Sequence, residues 1–255
     1  WVPDAHLNAS MDDLFDTASL NVLNFDPKHT LLRENTLFFD DEKDERANKI
    51  LDKNSSMDLY VRTPFRFDSE TLISQLEFNL ELQALKPCAD VAKLVERYLS
   101  HLTVSIQNTV AVHIRHESNF AVDVPRTKSP IHIGGGDVIA KYRSMCNHTS
   151  FFKAMSKHLE QNRQSHFLIA SDSPDEVQIL ARQFDAKRIH QLDHSLSVYC
   201  RTEETRQRDC VRFAYVELLA LSKCGGGLIF SHWSSFSEIL LAYHKGETMS
   251  GCEEV

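Results

Sequence analysis

The stretch Val110-Ala-Val-His-Ile-Arg-His-Glu117 decides the reading of this chain. Val110, Val112 and Ile114 fall on one side of an extended segment and Ala111 on the other, which predicts a short, mostly buried strand. The strand runs into His113, Arg115, His116 and Glu117, so charge arrives where the apolar run stops. In open α/β sheets, ligands bind just outside the carboxyl ends of the strands. A guanidinium fixed there can hold a phosphate through two parallel hydrogen bonds. Arg115 is therefore expected to hold a phosphate-bearing ligand. The plainer alternative is a strand that ends in a solvated charge cluster.

The pattern on the carboxyl side supplies a sheet for that strand. Helices are predicted over Thr149–Gln161, Pro174–Phe184 (with proline in the first turn), Thr205–Lys223 and Ser235–Tyr243. Strands are predicted over His166–Ala170, Lys187–His190 and Gly226–Phe230. In the long helix Phe213, Val216, Leu219 and Ala220 share an inward face. Strands separated by single helices make parallel βαβ units, so the C-terminal half is expected to be an α/β, Rossmann-type parallel sheet. A long polar loop follows the opening stretch and carries Pro125, Pro130 and Gly134-Gly135-Gly136; these glycines either cradle a ligand or hinge the loop.

The amino side is less regular. Residues 68–101 read as helical, with one segment ending at Pro87 and an amphipathic helix over Ala89–Leu99 that shows Val91, Leu94, Val95 and Tyr98 on one face. Before it come a helical turn at Met11–Phe15, strands at Leu20–Phe25 and Met57–Arg62, and a solvated charge run from Asp40 to Arg46. No domain-sized core closes there. The division is accordingly residues 1–100, a partial N-terminal piece with connecting helices, and residues 101–255, the Rossmann-like domain.

Composition narrows the function. Over 255 residues, 42% hydrophobic and 25% charged content describe an ordinary globular chain, and no apolar run reaches the ~18 residues that span a bilayer. A net charge of −8 argues against a general nucleic-acid binder, which needs a basic face. It leaves room for a phosphorylated ligand, because Arg115, Arg126, Lys128, Lys141 and Arg143 form a locally cationic region. The six cysteines show no C-x-x-C pair and no zinc-like spacing, so disulfides are permitted but not required. Asn8, Asn54 and Asn147 head N-x-S/T triplets; such triplets also arise by chance, and the compartment stays open.

Two further strand ends line up with the first. Asp172 follows the strand His166–Ala170, where it meets a ribose or base N–H, or else Asp172 or Ser173 caps the helix that starts at Pro174; the two roles are compatible. Phe230-Ser-His-Trp-Ser234-Ser235-Phe236-Ser237 lies between a strand and the last helix, and hydroxyls with backbone N–H groups at a helix N-terminus make an anion site. Phe236 packs either against a ligand ring or into the core. No G-x-S-x-G elbow or H-E-x-x-H pair is present, and Asp40-Asp41 sits in the charged run, so neither a serine hydrolase nor a metal centre is supported.

The ordered trio resembles the α1,6-fucosyltransferase and nodulation fucosyltransferase family over roughly residues 105–245. His113-Ile-Arg115-His116 looks like its H-x-R-[HR] motif and Ala170-Ser-Asp172-Ser-Pro like its second nucleotide-binding element. Glu217-Leu-Leu-Ala-Leu-Ser222-Lys-Cys224, followed by Ser234-Ser235-Phe236, looks like the third. The resemblance implies a GT-B-like glycosyltransferase whose donor substrate is GDP-fucose, whose acceptor is a glycan or glycoconjugate, and which requires no metal or other cofactor. It implies that Arg115 binds the β-phosphate, that His113 and His116 lie at the nucleotide, and that Asp172 and Glu217 belong to the donor site. Ser234, Ser235 and Phe236 would form the diphosphate-binding turn. An acceptor hydroxyl needs a base, for which Asp123, at an offset similar to the family's, comes first and Glu117 second.

The match is not complete. Glu217 stands where the family usually has Asp, and His116-Glu117-Ser118-Asn119 replaces the usual second arginine or acid–lysine pair. The family opens with a glycine-rich βα unit, and Trp1-Val-Pro-Asp looks like the stretch just after it, so the N-terminal α/β half, which shapes the acceptor site, is expected to be incomplete here. Family members occur in the bacterial cytoplasm and in the Golgi lumen. Two other functions fit the same residues: the same scaffold using another nucleotide sugar, and a non-catalytic nucleotide-sugar or glycan-binding module.

Overall fold

A computed structural model of the chain describes residues 11–16, 36–39, 58–61, 75–115, 144–192, 207–232 and 234–252. A 3₁₀ turn at Met11–Asp13 comes first. Strands β1 (Thr36–Phe39) and β2 (Asp58–Val61) then form a parallel pair, Thr36 opposite Asp58 and Phe39 opposite Val61. Helices α1 (Gln75–Ala84) and α2 (Ala89–Ser100) lead to β3 (Thr109–Ile114). Beyond it α3 (His148–Gln161), β4 (His166–Ser171), α4 (Pro174–Gln183) and β5 (Ile189–His190) follow in turn. The chain continues through α5 (Arg208–Ser222), β6 (Leu228–Phe230), α6 (Ser235–Tyr243) and β7 (Thr248–Ser250).

The C-terminal part is an α/β unit built on one parallel sheet of five strands in the order β5-β4-β3-β6-β7. From β3 the strands run outward through β4 to β5, then resume on the other side of β3 with β6 and β7. The order therefore reverses between β3 and β6, the place where open α/β sheets hold their ligands.

The alternation in the opening stretch explains why β3 is central. All six of its residues are buried. Val110, Val112 and Ile114 enter a cluster with Phe151 and Met155 of α3 and Val177 and Leu180 of α4. Ala111 enters the opposite cluster with Ala220 and Leu221 of α5 and Leu240 of α6. Each large apolar side chain so buried contributes about 1.5–3 kcal/mol. The apolar stripe of α2 packs outside α5, where Val91 and Val95 meet Val216 and Leu219.

Local chemistry sets the ends. The Asn147 side chain accepts hydrogen bonds from the Thr149 and Ser150 N–H groups, at 3.0 and 3.2 Å, and caps α3. The His148 N–H at the start of that helix donates to Glu176 of α4, which ties the two helices together. The predicted strand from Gly226 begins at Leu228 instead, because Gly225–Gly227 form the turn that enters it. Gly227 has φ +117°, and a Cβ on Gly226 would lie 2.9 Å from the Thr109 carbonyl.

A disulfide joins Cys146, before α3, to Cys252, after β7, across 106 positions of sequence. Cys210 is disulfide-bonded too. Cys88 and Cys224 are free, and burial pushes the Cys224 thiol up to about 12, which leaves it unreactive. Strands β1 and β7 were not expected from the sequence. The predicted strand Leu20–Phe25, the charge run Asp40–Arg46 and the glycines 134–136 lie outside the described residues. No helix among the described residues is long and apolar enough to cross a membrane.

Candidate functional site

The parallel register places three strand ends side by side. Ile114 pairs with Ser171, so Arg115 and Asp172 each follow the last residue of adjacent strands. His113 pairs with Phe230, which brings Ser231 alongside the same point from the other flank. Backbone bonds fasten the junction. The Ser231 N–H donates to the His113 carbonyl at 3.0 Å, and the Asp172 N–H approaches the Ile114 carbonyl at 3.4 Å. The Arg115 N–H donates to the Ser231 hydroxyl at 2.8 Å. Ser231 is wholly buried, and its hydroxyl holds the arginine backbone at the reversal point of the sheet.

The Arg115 guanidinium turns toward β4. Its Nη1 lies 2.9 Å from Asp172 Oδ2, with the arginine side chain 24% exposed and the aspartate 11%. The approach lies off the hydrogen-bond axis, so this is an ionic contact and not a bidentate fork. Asp172 thus faces the arginine. Ser173 occupies the N-cap position of α4 and makes no side-chain capping bond.

His113 points to the other face of β3, toward α6. Its ring stacks on Phe236 with centroids 4.3 Å apart and planes 18° from parallel, and its Nδ1 lies 2.7 Å from the Ser237 hydroxyl. Burial, reinforced by the Arg115 charge, pushes the imidazole down to about 3. The ring is therefore neutral at ordinary pH, and its role is packing and hydrogen bonding rather than charge. Phe236 belongs to the wall of the site as well as to the core around α5.

Helix α6 starts at this point. The Ser234 hydroxyl accepts from the Ser237 N–H at 3.5 Å, while Ser235 stands exposed on the first turn. The N–H groups of Ser235 and Phe236 have no acceptor among the described residues. A guanidinium and an open helix N-terminus so placed suit a phosphate or diphosphate. Glu217 is half-buried on α5. His116, Glu117 and Asp123 lie outside the described residues. Among the described residues no three His, Cys, Asp or Glu side chains group as metal ligands.

Two residues of this cluster, Ser231 and Ser237, were not singled out by sequence reasoning. For Ser231 the available signal was register: once His113 pairs with Phe230, the residue after Phe230 must lie beside Ile114, within reach of the Arg115 N–H.

The depressed imidazole makes acid stability a check on this geometry. In the unfolded chain His113 takes up a proton near pH 6.5, while in the folded chain it stays neutral down to about 3. Between those values the unfolded state binds the extra proton, so stability falls on acidification by up to about 1.4 kcal/mol per pH unit for this group. His158, His190 and His244, also pushed down chiefly by burial, act in the same direction. His113→Asn should flatten the dependence of denaturation midpoint on pH between about 6 and 4. An unchanged slope would show that the ring is not held neutral.

No family model matches the chain, and no curated protein sequence matches it. Among solved structures the chain is similar to POFUT1 in its apo form, at 12% identity and a TM-score of 0.48, over 79% of this chain and 57% of that one. It is similar to POFUT1 in complex with GDP-fucose at 13% identity, with the same score and coverage. POFUT1 in complex with GDP matches at 13% identity and a TM-score of 0.47, over 83% of this chain and 62% of that one. The chain thus spans less than two thirds of the length of the structures it matches. Likeness at this level concerns the path of the backbone and not the side chains that act.

Proposed function

We propose that the chain is a fucosyltransferase-like glycosyltransferase that takes GDP-fucose as donor and passes fucose to a hydroxyl of a glycan or glycoconjugate, without a required metal. The observation that carries this reading is the convergence of three strand ends at the reversal point of the sheet, where the Arg115 backbone is fastened to Ser231, just before α6, and its guanidinium faces Asp172. The choice of GDP-fucose rests on the ordered motifs around His113-Ile-Arg115-His116, Asp172 and Ser234-Ser235-Phe236. In this reading residues 101–255 hold the donor within a GT-B-like arrangement, and residues 1–100 belong to the acceptor side.

The chemistry needs little more than these groups. An acceptor oxygen attacks C1 of fucose, the bond from C1 to the β-phosphate oxygen breaks, and GDP departs with the electron pair. Charge grows on the phosphate as it leaves, where Arg115 and the N–H groups of Ser235 and Phe236 stabilise it. The acceptor proton passes to a carboxylate, Asp123 before Glu117 in order of preference. His113, held neutral and stacked on Phe236, supports the nucleotide side without adding charge. Asp172, His116 and Glu217 complete the donor contacts.

Calorimetry with GDP and UDP, paired with turnover of GDP-fucose against a glycan mixture, tests the reading. GDP is expected to bind more tightly than UDP, and fucose to be transferred. Preference for the uridine nucleotide overturns the donor, and tight GDP binding with no turnover in a full-length chain makes the protein a binding module.

A further inference from the structure

We propose that the amino end of the sheet carries a second ligand site, specific for a tetrahedral oxyanion such as a phosphate or sulfate group. A groove of about 370 Å³ lies there, bordered by the turn before β3, the turn between α3 and β4, and the 3₁₀ turn before β5. Arg163, His166 and Arg188 line it with Asn108, Ser105 and Gln164, and among the described residues no carboxylate does.

Among the described residues no acid pairs with the cations in this groove. Arg188 Nη1 donates to the carbonyls of Arg163 and Ser165, at 2.8 and 2.9 Å, which fixes the guanidinium without supplying it a counter-charge. The Arg163 side chain has no hydrogen bond or ion pair among the described residues. The nearby acid Asp185 accepts from the Lys187 N–H in the turn before β5 and does not line the groove. His166 Nδ1 lies 3.1 Å from His190 Nε2 on the neighbouring strand, so the rim also holds an imidazole pair in place. In a chain of net charge −8, two guanidiniums beside amide and hydroxyl donors attract an anion and no cation.

The site is separate from the donor pocket. β4 begins at His166 and ends just before Asp172, so a strand of six residues, roughly 20 Å, lies between them. An anion held here takes no part in bond breaking, and the proposal stands whether or not the donor reading does.

Arginine side-chain Nε–H spectra recorded during titration with sodium phosphate or sodium sulfate, at ionic strength held constant with sodium chloride, test it. The Arg163 and Arg188 signals should shift saturably, and Arg163→Ala should weaken the affinity at least tenfold while leaving the thermal midpoint unchanged. Parallel titration with a sulfated hexasaccharide separates the sources. Binding at least tenfold tighter than free sulfate identifies an ester carried on a saccharide, and equal binding identifies the free oxyanion. Either result supports the site. Absence of saturable shifts with all three probes, or an affinity that Arg163→Ala leaves unchanged, overturns it.

Discussion

Arg115→Ala is expected to weaken GDP binding by about 1.5–3 kcal/mol, the worth of a charge-assisted contact, and to lower turnover by roughly 10²–10³-fold. The larger effect on turnover follows from where the charge appears. In the proposed reaction ground-state GDP-fucose already carries a diphosphate, but the β-phosphate gains a further negative charge as the bond to fucose breaks, and that is the charge Arg115 is proposed to meet. Arg115→Lys separates charge from shape. It keeps a cation next to Asp172, 2.9 Å from the native Nη1, and loses the planar fork. The lysine variant should fold with a wild-type denaturation midpoint and recover only part of the activity. Full turnover in Arg115→Ala, measured on a sample whose midpoint matches the wild type, would remove the arginine from the mechanism.

The second large effect concerns stability. Opening the Cys146–Cys252 disulfide by the double substitution Cys146→Ala with Cys252→Ala should cost about 4–5 kcal/mol, the loop-closure entropy expected for a bridge across 106 positions. In a chain of this size that corresponds to a drop of roughly 10–20 °C in Tm. The loss should also reach the donor site. The His232 N–H donates to Cys252 Sγ at 3.3 Å, and His232 adjoins Ser231, which holds the Arg115 backbone. GDP affinity is therefore expected to fall at temperatures where the variant is still folded. Urea denaturation gives the first quantity and calorimetry the second, and a midpoint equal to the wild type would contradict the assigned role of the bridge.

The elements that bury a regular apolar face were legible in the sequence. The last helix, Ser235–Tyr243, has the bounds its pattern predicts, and α2 buries Val91 and Val95 as its stripe requires. The alternation in β3 correctly divided Val110, Val112 and Ile114 from Ala111. What escaped notice depends on distant partners. β7 is three residues long, begins with exposed Thr248, and is a strand only because β6 lies beside it. The pairing of Cys146 with Cys252 leaves no local mark on either residue.

The candidate site divides in the same way. Arg115, Asp172 and the serines before α6 were visible as polar residues at strand ends. That Asp172 faces Arg115 instead of capping α4 follows from register, and so does the place of Ser231, while Ser237 meets His113 through the packing of α6 on β3.

The contact between Arg115 and Asp172 bears on which anions the pocket will ignore. A guanidinium with a resident counter-ion is already close to electrical balance, so an incoming anion gains only the excess of its own attraction over that of the carboxylate it crowds. Chloride or a single carboxylate brings no more charge than Asp172 supplies and gains little. On the proposed reading a diphosphate brings several charges, and so outweighs the single charge of Asp172. The proposed donor site would then select by valence before any base or sugar is read.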